Sequence, residues 1–261
     1  MNTDNMSIVG LTIDYGPYGW LENVDLDWTP NTTDAQGRRY CFGAQPQIAH
    51  WNLLQLGHAI APVVGDPKPL EAALDGYVGH YQDGYRRMMA DKLGLMQESV
   101  TDDDSLVAGL WQVLSEADID MTLFFRCLAS VETGRHATAD PDRLLEAVAP
   151  AFYESHATPD AGRIPLGRWL ARYHDRVREA GIPDAVRRGR MNAVNPLYVP
   201  RNYLAQLAID KAETGDFSLV RDMLDVARSP YTEQPGREAF AAIRPDWARH
   251  RAGCSMLSCS S

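Results

Sequence analysis

The sequence predicts a mainly α-helical protein that begins with one small β-hairpin. After residue 41, apolar residues recur at the three-to-four spacing that places them on one face of a helix. Before it, Ile8–Ile13 is short, apolar and β-branched around Gly10, a pattern typical of a hairpin strand. Residues 22–39 are rich in Asp, Asn, Thr and Gly without periodicity, which predicts a long loop. Loops of this length in compact proteins are usually functional.

The helical part is predicted to contain about eight or nine helices. We expect Asp102–Asp104 to cap the third of them. The final stretch, with Pro230, Pro235 and Pro245, predicts an extended tail. The predicted helices are Gln45–Ile60, Pro69–Leu95, a helix carrying Leu106, Leu110 and Val113, Asp120–Ser130, Pro141–Tyr153, Pro165–Ala180, Asp184–Ala193, Arg201–Glu213 and Phe217–Arg228.

Composition and charge exclude several classes of function. The 261 residues include 35 acidic and 25 basic side chains, a formal net charge of −10, which argues against non-specific nucleic-acid binding. No apolar stretch approaches the roughly 20 residues of a membrane span. The first residues have neither the basic start nor the apolar run of a secretory signal, so we expect a cytoplasmic protein. The four cysteines lack the spacing of a zinc site.

Three residues near the start carry the candidate chemistry. Asp4 and Asn5 precede the predicted strand, and Asp14 follows it directly. A hairpin brings its two ends together, and carboxylate and amide oxygens are ligands that Mg²⁺ prefers. A further acid beside them can take a proton from a substrate hydroxyl. The order of these residues along the chain is like that of the kinase catalytic loop followed by its Asp-Phe-Gly motif. Ordinary turn chemistry also explains each residue alone.

The wider sequence resembles the selenoprotein O family of kinase-like protein adenylyltransferases. The longest matching stretch runs from Met1 to Pro17, and further family segments extend over essentially the whole chain. These further segments are Asp34-x-x-Gly37-Arg38-x-Tyr40, Gln45-Pro46, Trp51-Asn52-Leu53, Val194-Asn195-Pro196, Arg201-Asn202-x-Leu204-Ala205, Pro245-Asp246-Trp247 and Cys259-Ser260-Ser261.

The resemblance implies a reaction and a role for each candidate residue. Asp4 falls on the family's proton acceptor, Asn5 and Asp14 on its metal ligands, and Asp14 also lies against the nucleotide phosphates. The implied activity is metal-dependent transfer of AMP from ATP to Ser, Thr or Tyr hydroxyls of proteins, with Mg²⁺ or Mn²⁺. The nucleotide is held in the orientation opposite to that of a kinase, so that its α-phosphate faces the acceptor.

The resemblance also implies a domain organisation. Residues 1–40 correspond to the catalytic loop, the metal-binding hairpin and an activation-like loop, and 41–261 to the helical C-terminal lobe with its tail. The family's N-terminal ATP-binding lobe has no counterpart here, since Gly-x-Gly and the P-loop motif occur nowhere. We therefore expect a fragment that binds ATP weakly alone. The alternative is a catalytically inactive helical remnant or a protein-binding module.

Two further sets of residues have structural interpretations. Helical spacing predicts that Trp51, Trp111 and Trp169 pack in the core. A local set of arginines on an acidic protein predicts a solvated helix face, with docking of a protein substrate as the alternative. These arginines are Arg172, Arg176, Arg178, Arg187, Arg188 and Arg190.

Overall fold

The computed structural model describes residues 6–8, 19–29, 34, 36–95, 100–134, 137–153, 160–251 and 254. Within these residues the chain is mainly helical, which confirms the predicted class, and it contains no sheet. Ile119 and Phe152 form an isolated antiparallel bridge. Of the predicted hairpin, only Ile8 is described, in a turn and 83% exposed, and the remainder lies outside the described residues.

The helices of the described part follow the predicted series. Several boundaries differ from the prediction, since α1 ends at Val64 and not Ile60, α5 ends at Val148 and not Tyr153, and α6 begins at Asp160 and not Pro165. Helix α3 begins before the predicted cap, so Asp103 and Asp104 lie inside the helix. None of these helices combines the length and apolarity needed to cross a membrane. The helices are α1 (Gln45–Val64), α2 (Lys68–Leu93), α3 (Val100–Glu116), α4 (Met121–Leu128), α5 (Pro141–Val148), α6 (Asp160–Glu179), α7 (Asp184–Val194), α8 (Asn202–Glu213) and α9 (Ser218–Ala227).

The chain divides into two compact units. The smaller contains Met1–Gly19, Asp25–Arg86 and Met256–Ser261, and the larger contains Trp20–Val24 and Arg87–Ser255. In the smaller unit, α1 is followed by a turn at Gly65 and then by the first part of α2.

Aromatic rings join α1 to α2 in the smaller unit. The Tyr77 hydroxyl donates to the carbonyl oxygen of Pro46 at 2.9 Å, and its ring stacks on His50 with a centroid distance of 5.1 Å. The stack continues along α2 through Tyr81 and Tyr85, at 6.2 and 6.1 Å. Residues four apart share one helix face, so the three tyrosines form one stripe within the predicted helix Pro69–Leu95.

The three tryptophans predicted to pack in the core differ in their burial. Trp169 on α6 is 2% exposed and its indole N–H donates to the carbonyl oxygen of Leu106 at 2.8 Å, which confirms its predicted core role. Trp111 is partly buried. The prediction is wrong for Trp51, which is 40% exposed with the Arg39 guanidinium 4.6 Å from its ring centroid. The reason is that the described residues of the smaller unit do not bury this side chain.

The core of the larger unit forms where α3, α4 and α5 pack around α6. Tyr173 of α6 is fully buried, stacks on Trp169 at 5.4 Å, and donates its hydroxyl proton to the carbonyl oxygen of Leu93 at 2.9 Å. Burial raises the pKa of Tyr173 to about 12, so the hydroxyl stays protonated as a donor. Phe124 of α4 lies against the same tryptophan.

Arg187 corrects the prediction of a solvated basic face. It is fully buried, whereas Arg172, Arg178 and Arg188 are exposed as expected. Its guanidinium donates to the Tyr173 hydroxyl at 3.1 Å and to the carbonyl oxygen of Val131. A buried arginine requires such partners, because an unpaired buried charge is costly. Periodicity alone does not distinguish Arg187 from its exposed neighbours.

Glycine at position 94 is required by two independent constraints. Gly94 has a φ of +65°, and a Cβ there would lie 2.8 Å from Arg187 Cγ and 2.9 Å from Met191 Sδ, in the packed core. Gly181 has a similar φ of +63° but open space around it. Comparing substitutions at the two positions therefore distinguishes the effect of backbone strain from that of steric conflict.

We expect Gly94→Ala to lower the free energy of unfolding by about 3 kcal/mol, since strain and overpacking add. Gly181→Ala, the matched control, costs only about 1 kcal/mol, from backbone strain alone. Urea unfolding followed by circular dichroism measures both. Equal losses for the two variants would contradict the steric account.

Candidate functional site

The three predicted site residues, Asp4, Asn5 and Asp14, lie outside the described residues. The structure therefore describes what flanks them in the chain, and their roles stay predictions. Met6 follows Asn5 directly, and the segment Trp20–Val24, here called the strap, follows Asp14. Both flanking segments are held by buried polar side chains.

Met6 is held by Asn52 of α1. The Asn52 side chain is 4% exposed, and its Nδ2 donates to the sulfur of Met6 at 3.1 Å. Its Oδ1 is buried without a hydrogen-bond partner among the described residues. Burying a polar side chain is costly unless it is paired, and the contact with Met6 gives the Asn52 amide one partner. Asn52 belongs to the Trp51-Asn52-Leu53 segment of the family resemblance.

The second family segment forms a turn closed by Asp34. The Asp34 carboxylate accepts the backbone N–H groups of Arg39 and Tyr40, at 2.9 and 2.7 Å, and its carbonyl accepts that of Arg38 at 2.7 Å. Arg38 has a φ of +46°, in the left-handed region. Aspartate at the start of the motif thus satisfies backbone donors that the turn leaves free.

Hydrogen bonds to its backbone hold the strap in place. The Asn202 side chain accepts the N–H of Trp20 and donates to its carbonyl oxygen, both at 2.9 Å. The carbonyl oxygen of Glu22 accepts the N–H of Met121 at 2.8 Å. These bonds join the strap to the first residues of α8 and α4.

A buried ion pair lies beneath the strap. Arg201 is 1% exposed and Asp120 is completely buried. The guanidinium makes two bonds to the carboxylate, from Nη1 to Oδ2 at 2.5 Å and from Nη2 to Oδ1 at 3.2 Å. The Tyr153 hydroxyl donates to Oδ2 at 3.2 Å, and Oδ1 also accepts the N–H of Leu123 as the N-cap of α4. One carboxylate therefore satisfies a helix end and an arginine together.

Glu22 of the strap extends the pair into a cluster of four charges. Its carboxylate is 2.9 Å from Arg244 Nη1 and 3.9 Å from Arg201 Nη1. The Arg244 contact is an ion pair without the alignment of a hydrogen bond. The formal charges of Glu22, Asp120, Arg201 and Arg244 cancel, which limits the cost of burying them. We call these four residues the charge cluster.

A second ion pair fixes the end of the strap and the tail. Asn23 Nδ2 donates to Asp118 Oδ1 at 2.7 Å, and Arg249 Nη2 donates to Asp118 Oδ2 at 2.8 Å. Arg249 also lies over the Tyr153 ring, 5.0 Å from its centroid. The tail thus follows an ordered path, held by the strap and by Asp118.

Burial and charge shift two pKa values in the cluster. Burial raises the pKa of Glu22 above its ordinary 4.5, and the nearby Arg244 and Arg201 only partly oppose this. Burial acts to lower the pKa of Arg201, but the hydrogen bonds to Asp120 outweigh it and the pKa is raised. The arginine therefore keeps its charge, while Glu22 gains a proton more readily than an exposed glutamate does.

Several of these residues escaped the sequence analysis. Glu22 and Arg244 gave no local signal, because each pairs with residues far away in the chain. Asp120 was recognised only as the start of a helix, although a capping aspartate before an apolar run is a detectable signal. Arg201 and Asn202 were identified through the family segment, and the contacts described above explain why this segment holds both.

The part of the chain that the structure describes contains no group of three or more His, Cys, Asp or Glu side chains suited to a metal ion. The predicted metal ligands, Asn5 and Asp14, lie outside that part. Carboxylate and amide oxygens suit Mg²⁺ or Mn²⁺ and do not suit softer metals. The donor set thus fits the predicted ion.

Removing one partner from the charge cluster leaves buried charges uncompensated. We expect Arg201→Leu to lower the free energy of unfolding by about 3–5 kcal/mol. The control Arg143→Leu breaks the pair with Glu146, whose side chains are 67% and 68% exposed, and costs less than about 1 kcal/mol. Chemical denaturation measures both. A loss for Arg201→Leu as small as that of the control would contradict the assigned role.

Glu22 makes the stability depend on pH. Because its folded pKa lies above 4.5, the folded protein holds this proton more tightly than the unfolded chain does. Its contribution is present below that value and is lost as the pH rises through the folded pKa. We therefore expect the stability of wild type relative to Glu22→Gln to fall as the pH rises above about 4.5 and through the folded pKa. A difference that stays constant, or rises, in urea unfolding contradicts this.

Comparison with known proteins gives the family. A family profile described as "Protein adenylyltransferase SelO" matches residues 1–228. A protein nucleotidyltransferase YdiU of Aromatoleum aromaticum is 56% identical over 262 residues, covering 100% of this chain and 48% of the relative. The counterpart in Rhodopirellula baltica is 53% identical over 267 residues, covering 100% of this chain and 49% of the relative.

A third relative, a protein nucleotidyltransferase YdiU of Xanthomonas campestris pv. campestris, is 55% identical over 262 residues, covering 100% of this chain and 49% of its own. The chain thus spans about half the length of the curated relatives it matches. The profile covers most of the chain, and the identities extend over all of it. The chain therefore belongs to the SelO family of protein adenylyltransferases.

Proposed function

We propose that this chain is part of a protein adenylyltransferase that transfers AMP from ATP to Ser, Thr or Tyr hydroxyls of proteins. The single observation that carries the proposal is the family profile over residues 1–228, which spans all three candidate site residues. The proposed fold is the helical C-terminal lobe of a kinase-like enzyme, completed by an N-terminal ATP-binding lobe. A cytoplasmic location stays a prediction.

The proposed reaction assigns one role to each candidate residue. The acceptor hydroxyl oxygen forms a bond to the α-phosphorus of ATP as the bond from that phosphorus to the β-phosphate oxygen breaks. Pyrophosphate leaves, and the hydroxyl proton passes to the carboxylate of Asp4. Asn5 and Asp14 hold Mg²⁺ or Mn²⁺ through their side-chain oxygens. When bound, the metal ion neutralises charge that builds up on the phosphates.

The anchoring of the flanking segments supports this assignment. Catalytic groups must be held close to their productive geometry, and positioning accounts for much of phosphoryl-transfer catalysis. Asn52 holds Met6, the residue after Asn5, and the strap after Asp14 is bound through Asn202 and the charge cluster. Such a site requires its flanking segments to be anchored.

The coverage of the relatives favours a second candidate function, a helical module without activity of its own. The chain matches only 48% of the Aromatoleum relative, and it contains no glycine-rich phosphate loop. Phosphate binding needs backbone or cationic donors that cradle the anion. The two candidates differ in whether activity returns when the unmatched half of a relative is supplied.

A chimera provides the test. This chain replaces the matching half of the Aromatoleum relative in one polypeptide, and the product is incubated with a protein acceptor and ATP labelled at either the α- or the γ-phosphate. We expect metal-dependent incorporation of the α-label only. Asp14→Ala should reduce it to below about 1%, because the charge on the phosphates is no longer neutralised.

Asp75→Ala is the control, because it removes an exposed carboxylate on α2 and should retain full incorporation. Incorporation of the γ-label instead would identify a kinase. Undiminished α-labelling in Asp14→Ala would refute its role as a ligand. A chimera that folds but incorporates neither label would favour the inactive module.

A further inference from the structure

The buried face of helix α1 carries a polar residue. The buried residues of this helix are Ile48 and Asn52, which are 8% and 4% exposed and lie about one turn apart on the same side. The side of a helix that faces a core normally carries apolar residues, and a polar residue there is a departure that function can require. Asn52 therefore occupies a position where packing alone favours a residue like Ile48.

The Asn52 amide makes fewer hydrogen bonds than a buried amide normally does. Its Nδ2 donates to the sulfur of Met6 at 3.1 Å, and a thioether sulfur is a weak acceptor. Its Oδ1 has no hydrogen-bond partner among the described residues. A leucine of similar shape would fill this position without a polar group to desolvate. The amide therefore adds little to stability, and its presence indicates a role other than packing.

Met6 connects Asn52 to the candidate metal site. Met6 is half-buried and is joined by one peptide bond to Asn5, a predicted metal ligand. Successive Cα atoms are about 3.8 Å apart across a planar trans peptide, so a restraint on Met6 limits the positions that Asn5 can take. Ile8, two residues after Met6, is 83% exposed, so its side chain does not anchor this segment.

We propose that Asn52 is a positioning residue for the metal site, which acts through Met6 to hold Asn5 in the orientation that binds Mg²⁺ or Mn²⁺. This role rests on the proposed function, in which the side-chain oxygen of Asn5 is a ligand of the ion. Mg²⁺ requires nearly ideal octahedral geometry, so a displaced ligand lowers the affinity. Replacing a residue that orients a metal ligand typically costs about 10- to 100-fold in metal affinity.

The competing interpretation is that Asn52 only fastens Met6 to α1. In that case its replacement lowers the stability, and metal binding falls only because less protein is folded. A positioning role separates the two quantities. Asn52→Leu removes both the amide donor and the unpaired oxygen, so the fold is kept while Met6 loses its restraint. Met6→Leu removes the sulfur with little change in volume, and it serves as a second variant.

Metal binding by the chimera tests the proposal. Electron paramagnetic resonance of free Mn²⁺ measures its binding, and urea unfolding followed by circular dichroism gives the midpoint. We expect Asn52→Leu to weaken Mn²⁺ binding by about tenfold or more, with an unfolding midpoint equal to or above that of wild type. The Mn²⁺ concentration for half-maximal incorporation of the α-label should rise by a similar factor.

A double-mutant cycle determines whether Asn52 acts through Met6. Met6→Leu should also weaken Mn²⁺ binding, because it removes the acceptor of the same contact. The double variant should bind Mn²⁺ no more weakly than the weaker of the two single variants, since the second substitution finds the contact already lost. Losses that multiply in the double variant would show independent effects and would overturn the proposal.

Tyr77→Phe is the matched control, because it removes a different hydrogen bond to α1 in the same unit, from the Tyr77 hydroxyl to the carbonyl oxygen of Pro46. It should lower the unfolding midpoint and leave Mn²⁺ binding unchanged. Mn²⁺ binding of wild-type strength in Asn52→Leu, or an equal loss in Tyr77→Phe, would overturn the proposal.

The same measurements distinguish this proposal from the proposed function. A chimera that binds Mn²⁺ but incorporates no α-label contradicts AMP transfer, and the Mn²⁺ affinities of the variants still decide the role of Asn52. A chimera that binds Mn²⁺ no better than its Asp14→Ala variant has no site for Asn52 to position, and this result overturns the proposal.

Discussion

The larger unit depends on the buried pair of Arg201 and Asp120. Burying two ions is not itself a source of stability, because desolvation consumes most of their attraction. The pair matters because several structural elements must be in place before it can form. Asp120 caps α4, Arg201 precedes α8, and Glu22 brings in the strap. A fold that misplaces any one of these leaves a charge without its partner.

The two units differ in how far they bury their hydrophobic residues. The larger unit surrounds α6 with three other helices and buries Trp169 and Tyr173 completely or nearly so. The smaller unit buries little of α1 and leaves Trp51 partly in water. Yet the smaller unit contains the segment with the candidate catalytic residues. The residues proposed to carry the chemistry therefore belong to the unit whose hydrophobic residues are less fully buried.

Local patterns predicted the helices well, because helix periodicity and caps depend on neighbouring residues. The stripe of Tyr77, Tyr81 and Tyr85 is an example. Burial was less predictable, since Trp51 and Trp169 have similar helical spacing but only one has a core to enter. The charge cluster was invisible, because Glu22 and Arg201 are distant in sequence. Asp4, Asn5 and Asp14 were predicted from spacing and family resemblance, and their assignment still rests on both.

The positions in the charge cluster also govern when the protein can fold. Its members lie at residues 22, 120, 201 and 244, so the cluster joins positions that are far apart in the chain. During synthesis Glu22 emerges first of the four and Arg244 last, and domains fold as units once their residues are available. Closing such long loops is also slow. The nascent larger unit must therefore wait, with its strap unsecured, until Arg244 has been synthesised.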